Sequence, residues 1–150
     1  MLRVMKDMWS ESEIPIGLLL SRAARTAERA FDRSLGGGAS RWQILRTLMA
    51  RSAETQAALA DAVGLRGATL VYHLDALEAE GLVVRKRAAE NRRLQTVALT
   101  EAGRAMFQTM LTAVVAYDAR LRAVIGAECE ADLRAVLQRI DAAFGDQGAV

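Results

Sequence analysis

Between Thr55 and Thr100 the chain carries an ordered series of signals that leaves few folds open. The series begins Thr55-Gln56-Ala57-Ala58-Leu59-Ala60-Asp61-Ala62-Val63-Gly64-Leu65. It continues Arg66-Gly67-Ala68-Thr69-Leu70-Val71-Tyr72-His73-Leu74-Asp75-Ala76-Leu77, and then Gly81-Leu82-Val83-Val84-Arg85-Lys86-Arg87. Leu59 and Val63 repeat at i, i+4, and Leu70, Leu74 and Leu77 make a second helical stripe. Gly64 stands between the two patterns, where the chain must turn sharply. Leu82 and Val84 then alternate with Val83 and Arg85 as in a strand, and Val97 and Leu99 do the same on the return. Two short helices around a glycine, followed at once by a basic hairpin with a polar turn at Ala88 to Asn91, are expected.

The flanking segments read as helices. Leu20, Ala23, Ala24, Ala27, Ala30 and Phe31 have helical spacing from Ile16 to Leu35, and Gly36-Gly37-Gly38 ends that run. Ser40 to Gln43 matches a capping box, with Trp42, Leu45, Leu48 and Met49 as the buried stripe behind it. Thr55 is expected to cap the next helix, and Thr100 a long one from about Glu101 to Val124. Gly126 breaks that helix before a last one from about Glu128 to Phe144. Some 24 residues at 1.5 Å each span roughly 36 Å, the width of a small domain. The long helix has two apolar stripes, Phe107-Leu111-Val114-Leu121-Ile125 and Met106-Met110-Tyr117-Leu121-Val124. One stripe covers its own domain, and the other calls for a second copy of the chain.

Composition agrees with that need. Apolar residues make up 52% of 150 and the mean hydropathy is +0.10, high for a small monomer. The net charge of +2 announces no polyanionic partner. Its distribution does, because Arg85, Lys86, Arg87, Arg92 and Arg93 lie within nine positions, opposed there only by Glu90. A single cysteine, Cys129, excludes an intrachain disulfide framework and suits a reducing cytosol. No run approaches a membrane span of about 20 apolar residues, and the start does not look like a signal peptide. A cytoplasmic protein without membrane association is expected. Met1 to Pro15, which includes Trp9, reads as an arm.

The fold class that follows is mainly α with a small β-hairpin wing: a winged helix-turn-helix with N- and C-terminal dimerisation helices. One domain of 1–150 is expected, with residues 1–35 as arm and dimerisation helix, 40–100 as the DNA-binding lobe, and 101–146 as C-terminal dimerisation helices. In such a fold Arg66, Thr69, Tyr72 and His73 face the major groove of DNA. Arginine suits guanine edges, threonine a thymine methyl or a phosphate, and tyrosine and histidine phosphates or base edges. Arg92 or Arg93 would enter an adjacent minor groove, with Lys86 and Arg87 along phosphates. Arg85 and Asn91, of the same basic hairpin, are expected to contact the DNA as well.

In order and spacing, the Leu59-Ala60…Gly64-Leu65 pair, the Thr69…Asp75-Ala76-Leu77-Glu78…Gly81-Leu82-Val83…Arg85 segment, the Asn91-Arg92-Arg93 wing and Leu99-Thr100-Glu101-Ala102-Gly103 resemble the MarR family of bacterial transcription regulators. The resemblance covers about Ile16 to Phe144. It implies a homodimer with intertwined terminal helices on a near-palindromic double-stranded DNA operator. It also implies repression, relieved when a small, often aromatic effector binds between arm and lobe. Leu19, Leu20, Trp42, Met49, Met106, Phe107 and Met110 are the candidate pocket residues. Two positions depart from the family pattern. Asn91 stands where Asp often precedes the wing arginines, and Arg66 stands where Ser or Thr would cap better.

Other chemistries have less behind them. His73 is the only histidine and lacks the companions of a metal site or a catalytic set, so no metal, no cofactor and no enzymatic activity are expected. Tyr72-His73-Leu74 is similar to the ArsR metal-sensor branch, which keeps a metal-responsive regulator as an alternative. Redox sensing by Cys129 is another, although Glu128 and Glu130 beside it disfavour the thiolate. A winged helix used only for protein–protein contact is the remaining one.

Overall fold

The computed structural model describes residues 14–51, 53–87 and 95–145. The arm with Trp9, the wing turn, and Asn91, Arg92 and Arg93 lie outside the described residues. The element order is α1 (Ile16–Ser34), α2 (Ala39–Arg51), β1 (Ala53–Thr55), α3 (Gln56–Val63), α4 (Gly67–Ala79), β2 (Val83–Arg87), β3 (Gln95–Leu99), α5 (Glu101–Ile125) and α6 (Ala127–Phe144). The chain divides into two compact units after Met110.

In the first unit the leucine stripes meet. Ile44, Leu45 and Leu48 of α2, Leu59 and Ala60 of α3, and Leu70, Leu74 and Leu77 of α4 pack with Leu82, Val83, Val97 and Leu99 into one core. Ile44 and Thr47 are also buried on α2, so its inward face is broader than the expected stripe. Thr55 caps α3 as expected, because its Oγ1 accepts the Ala58 N–H at 3.2 Å. Gly64 ends α3 in the left-handed conformation (φ 66°, ψ 29°), and the Leu65 N–H then donates to the Ala60 carbonyl at 3.0 Å. That tight stop aims α4 across α3.

The wing differs from a two-stranded hairpin. β1 pairs antiparallel with β3, and β2 pairs with its other side, giving the order β1-β3-β2. Val83 faces Leu99 and Lys86 faces Thr96. Leu82 lies before the strand, and Leu82 and Val83 are buried in succession rather than in alternation. Thr100 fastens the sheet to α5. Its Oγ1 accepts the Gly103 N–H at 3.0 Å and donates to the Gly81 carbonyl at 2.6 Å.

The α2 start also differs from expectation. The helix begins at Ala39, and Ser40 lies inside it rather than at the N-cap. The Gly38 carbonyl accepts the Trp42 N–H at 2.9 Å, and Asp32 Oδ1 of α1 accepts the Ala39 N–H at 3.0 Å. A carboxylate from the preceding helix therefore replaces the capping box, and the three glycines let the chain double back to meet it.

The second unit holds the rest of α5 and α6. Ion pairs at i, i+4 stiffen each helix, Asp118 with Arg122 and Glu130 with Arg134, both at 2.8 Å. Many of their apolar side chains stay bare: Val124 is 85% exposed and Phe144 70%, with Leu133, Val136 and Leu137 also exposed. Among the described residues, no helix is long and apolar enough to cross a membrane.

Candidate nucleic-acid interface

Helix α4 divides by face. Leu70, Leu74 and Leu77 sink into the core, which leaves Arg66, Thr69, Tyr72 and Ala76 exposed on the other side. Arg66 stands at the N-cap in extended backbone (φ −64°, ψ 144°) with no side-chain cap bond, so its guanidinium is not used to close the helix. Tyr72 is 73% exposed, which is unusual for a large ring on a helix with so well-packed a core face. His73 is half-buried, and its ring meets that of Tyr72 edge to face at 5.6 Å and 69°. The structure thus brings Arg66, Thr69 and Tyr72 onto one open surface and sets His73 at its margin.

Strand β2 follows directly. Lys86 and Arg87 are exposed at its outer end, opposite Thr96 and Gln95. Arg85 is placed differently from these two. Its Nη2 lies 2.6 Å from Glu78 Oε2 and 2.7 Å from Asp75 Oδ1, and its side chain is mostly buried. Hydrogen bonding to Glu78, and secondarily to Asp75, raises the arginine pKa further. The same contacts hold the Glu78 carboxyl below its ordinary value. Arg85 is therefore a clamp between α4 and β2, and its charge is already matched.

The expected pocket residues separate. Trp42 is buried and stacks on Phe107, with centroids 4.7 Å apart and planes 7° from parallel, so this pair fills core space. Met106 and Met110 reach a cavity of about 420 Å³ that is also lined by Arg41, Tyr72, His73 and Leu77. Leu19, Leu20 and Met49 do not line it. Met49 packs against the core instead, and Leu20 on α1 is exposed. The part of Arg41 went unread in the sequence, because its position inside an apparent capping box gave it a local explanation.

Cys129 is exposed near the start of α6. Among the described residues, no group of three or more His, Cys, Asp or Glu side chains is placed to hold a metal ion.

Comparison with known proteins fits this geometry. The winged helix DNA-binding domain family matches residues 40–117, from the first turn of α2 into α5. The chain belongs to that family. It is 31% identical to the transcriptional regulator PA3341, covering 89% of this chain and 100% of that one with a TM-score of 0.74. It is 27% identical to the transcriptional repressor CouR, solved on a 23-mer DNA duplex, over 87% and 95% of the two chains with a TM-score of 0.78. Apo MarR of E. coli shares the fold at 22% identity, over 85% and 96%, with a TM-score of 0.74. Among curated proteins, no sequence matches the chain.

Proposed function

We propose that this winged-helix protein is a cytoplasmic, homodimeric, sequence-specific transcription regulator and not an enzyme, acting as a repressor whose DNA affinity responds to a small ligand. The observation that carries the reading is the split of α4. Its leucines are fully engaged, while Arg66, Thr69 and Tyr72 stand open, and Lys86 and Arg87 are exposed on the strand that follows. Side chains of that chemistry suit groove edges and phosphates. Residues 40–100 then form the DNA-binding lobe, with 1–35 and 101–146 serving dimerisation. The bare apolar side chains of α5 and α6 support the second copy, as does Ile16 of α1 at 83% exposure. The relative CouR, a repressor solved on DNA, supports the choice of partner.

In mechanism, the dimer presents two α4 helices about one turn of DNA apart, roughly 34 Å, to matching half-sites. Cationic strands and wings alongside bind phosphates and fix the register. Sequences selected by the protein from random duplex DNA should be inverted repeats. Lys86→Ala with Arg87→Ala should weaken binding across all of them and lower the salt slope by about 0.9 per lost phosphate contact. Failure to enrich any sequence, together with an unchanged slope, counts against the reading.

A further inference from the structure

Helix α1 carries four arginines, Arg22, Arg25, Arg29 and Arg33, and no lysine. Steps of three, four and four residues put them on one face, opposite Ile16, Leu20, Ala27 and Phe31. All four are exposed, along a line of about 16 Å at 1.5 Å per residue. Like charges at that spacing destabilise a helix, and the fold does not relieve them. Among the described residues no carboxylate pairs with any of the four. Arg122 and Arg134 on the later helices, by contrast, each meet one a turn away. Arg29 Nη2 donates to Thr26 Oγ1 at a long 3.5 Å, and Asp32 already accepts the Ala39 N–H.

A row of guanidiniums without partners suits a polyanion. Their planar forks take phosphate oxygens two at a time. Duplex DNA sets a phosphate on each strand every 3.4 Å or so of its axis, so a line of about 16 Å can meet several. The row also ends next to the recognition face. Arg33 lies just before Leu35, which lines one cavity together with Gly36, Gly37, Gly38, Tyr72 and His73. Arg29 and Arg33 border an open hollow of about 580 Å³ beside Ser40, in the first turn of α2. That leaves room for a sugar–phosphate strand passing from α4 toward α1.

We propose that the arginine face of α1 is a second DNA surface, binding the sugar–phosphate backbone beside the stretch read by α4. It rests on the reading of α4 as the DNA-contacting helix, and it adds contacts that carry no base information. Affinity for any duplex rises, while the choice of sequence stays with α4. The apolar side of the same helix remains for the second copy of the chain, so α1 serves the dimer on one face and DNA on the other.

The test compares the full chain with two fourfold variants. One carries Arg22→Gln, Arg25→Gln, Arg29→Gln and Arg33→Gln; the other carries Arg22→Lys, Arg25→Lys, Arg29→Lys and Arg33→Lys. On a selected inverted repeat and on an unrelated duplex alike, the glutamine variant should lower the slope of log affinity against log salt by about 0.9 per lost phosphate contact. The lysine variant should keep the slope. All three proteins should enrich the same sequences from random DNA. Phosphate ethylation should interfere with wild-type binding at positions to which the glutamine variant is indifferent. An unchanged slope in the glutamine variant overturns the proposal. So does a dimer lost on sedimentation, since the face then belongs to the second copy. Poly-glutamate that binds the wild type and not the glutamine variant, with the DNA slope unchanged, would give the face to an acidic protein instead. Wild-type protein that binds no duplex would remove the reading of α4 and this surface with it. Selective binding that is indifferent to all four changes removes this surface alone.

Discussion

Glu78 receives Arg85 with both of its carboxylate oxygens. Oε1 accepts the backbone N–H at 3.0 Å, while Oε2 accepts Nε at 2.9 Å and Nη2 at 2.6 Å. Asp75 takes Nη2 as well, at 2.7 Å. Two carboxylates on α4 thus fix the first half of β2, and the strand leaves the helix at a set angle. Neighbouring arginine and lysine on this strand consequently have different work. Arg85→Ala should lower stability by about 1–3 kcal/mol, the usual cost of losing charged hydrogen bonds. Lys86→Ala should leave the melting temperature alone and reduce the salt slope of DNA binding by about 0.9. Chemical denaturation and salt-dependent fluorescence anisotropy separate the two, and a reversed assignment would show the clamp to be incidental.

The clamp also predicts a pH dependence. Arg85 holds the Glu78 pKa below its unfolded value, through the side-chain hydrogen bonds first and the backbone N–H second. A depressed carboxyl stabilises the fold above its unfolded pKa, and the contribution disappears as the pH falls through the folded pKa. Wild-type protein should therefore lose denaturant resistance on acidification through and below the ordinary glutamate range. Glu78→Gln should be less stable near neutrality and show a flatter decline there. Parallel curves for the two proteins would mean that the contact does not distinguish folded from unfolded chains.

Gly103 lies where α5 passes the turn before β2. A Cβ added there would come 2.0 Å from the Leu82 carbonyl oxygen and 3.0 Å from Leu99 Cδ2, and the nearer atom is backbone that no side-chain rotation can move away. Gly103→Ala should cost about 3 kcal/mol or more, at the upper end for overpacking despite the better helix propensity of alanine. Thermal unfolding followed by circular dichroism measures it, and a stabilised variant would show that this approach is wrongly drawn.

Thr55 has a smaller and more local part. Thr55→Ala removes the acceptor for the Ala58 N–H and should cost about 1 kcal/mol, whereas Thr55→Ser should keep most of it. Hydrogen exchange at Ala58 should speed up in the alanine variant alone. Equal protection in both would place the control of α3 elsewhere.

What could be read from the sequence divides along a physical line. The inward faces of α3 and α4 follow from leucine spacing, because a helix sorts its faces within a few residues. The caps at Thr55 and Thr100 are equally local, each reaching three residues ahead. β1 is another matter: Ala53–Thr55 is short, and its partner residues, 96 to 98, lie more than 40 positions away. The start of α2 misleads for a related reason, since Asp32 reaches it from another helix. Arg85 shows its charge in the sequence but not its two carboxylate partners. Trp42 and Phe107 look equally suited to a ligand and to each other, and only their stacking decides. The cavity draws on three separate stretches of chain, so no local pattern marks Arg41 as part of it.

The order β1-β3-β2 leaves this small sheet with two open rims. One is only three residues long, too short a template for a stray strand from another molecule. The other ends in Lys86 and Arg87, whose like charges repel a copy of themselves. The cations suited to phosphates thus also guard against self-association by strand addition. Neutralising them with apolar residues would invite aggregation, and a fall in DNA affinity in such variants needs light scattering beside it before it is read as lost contact.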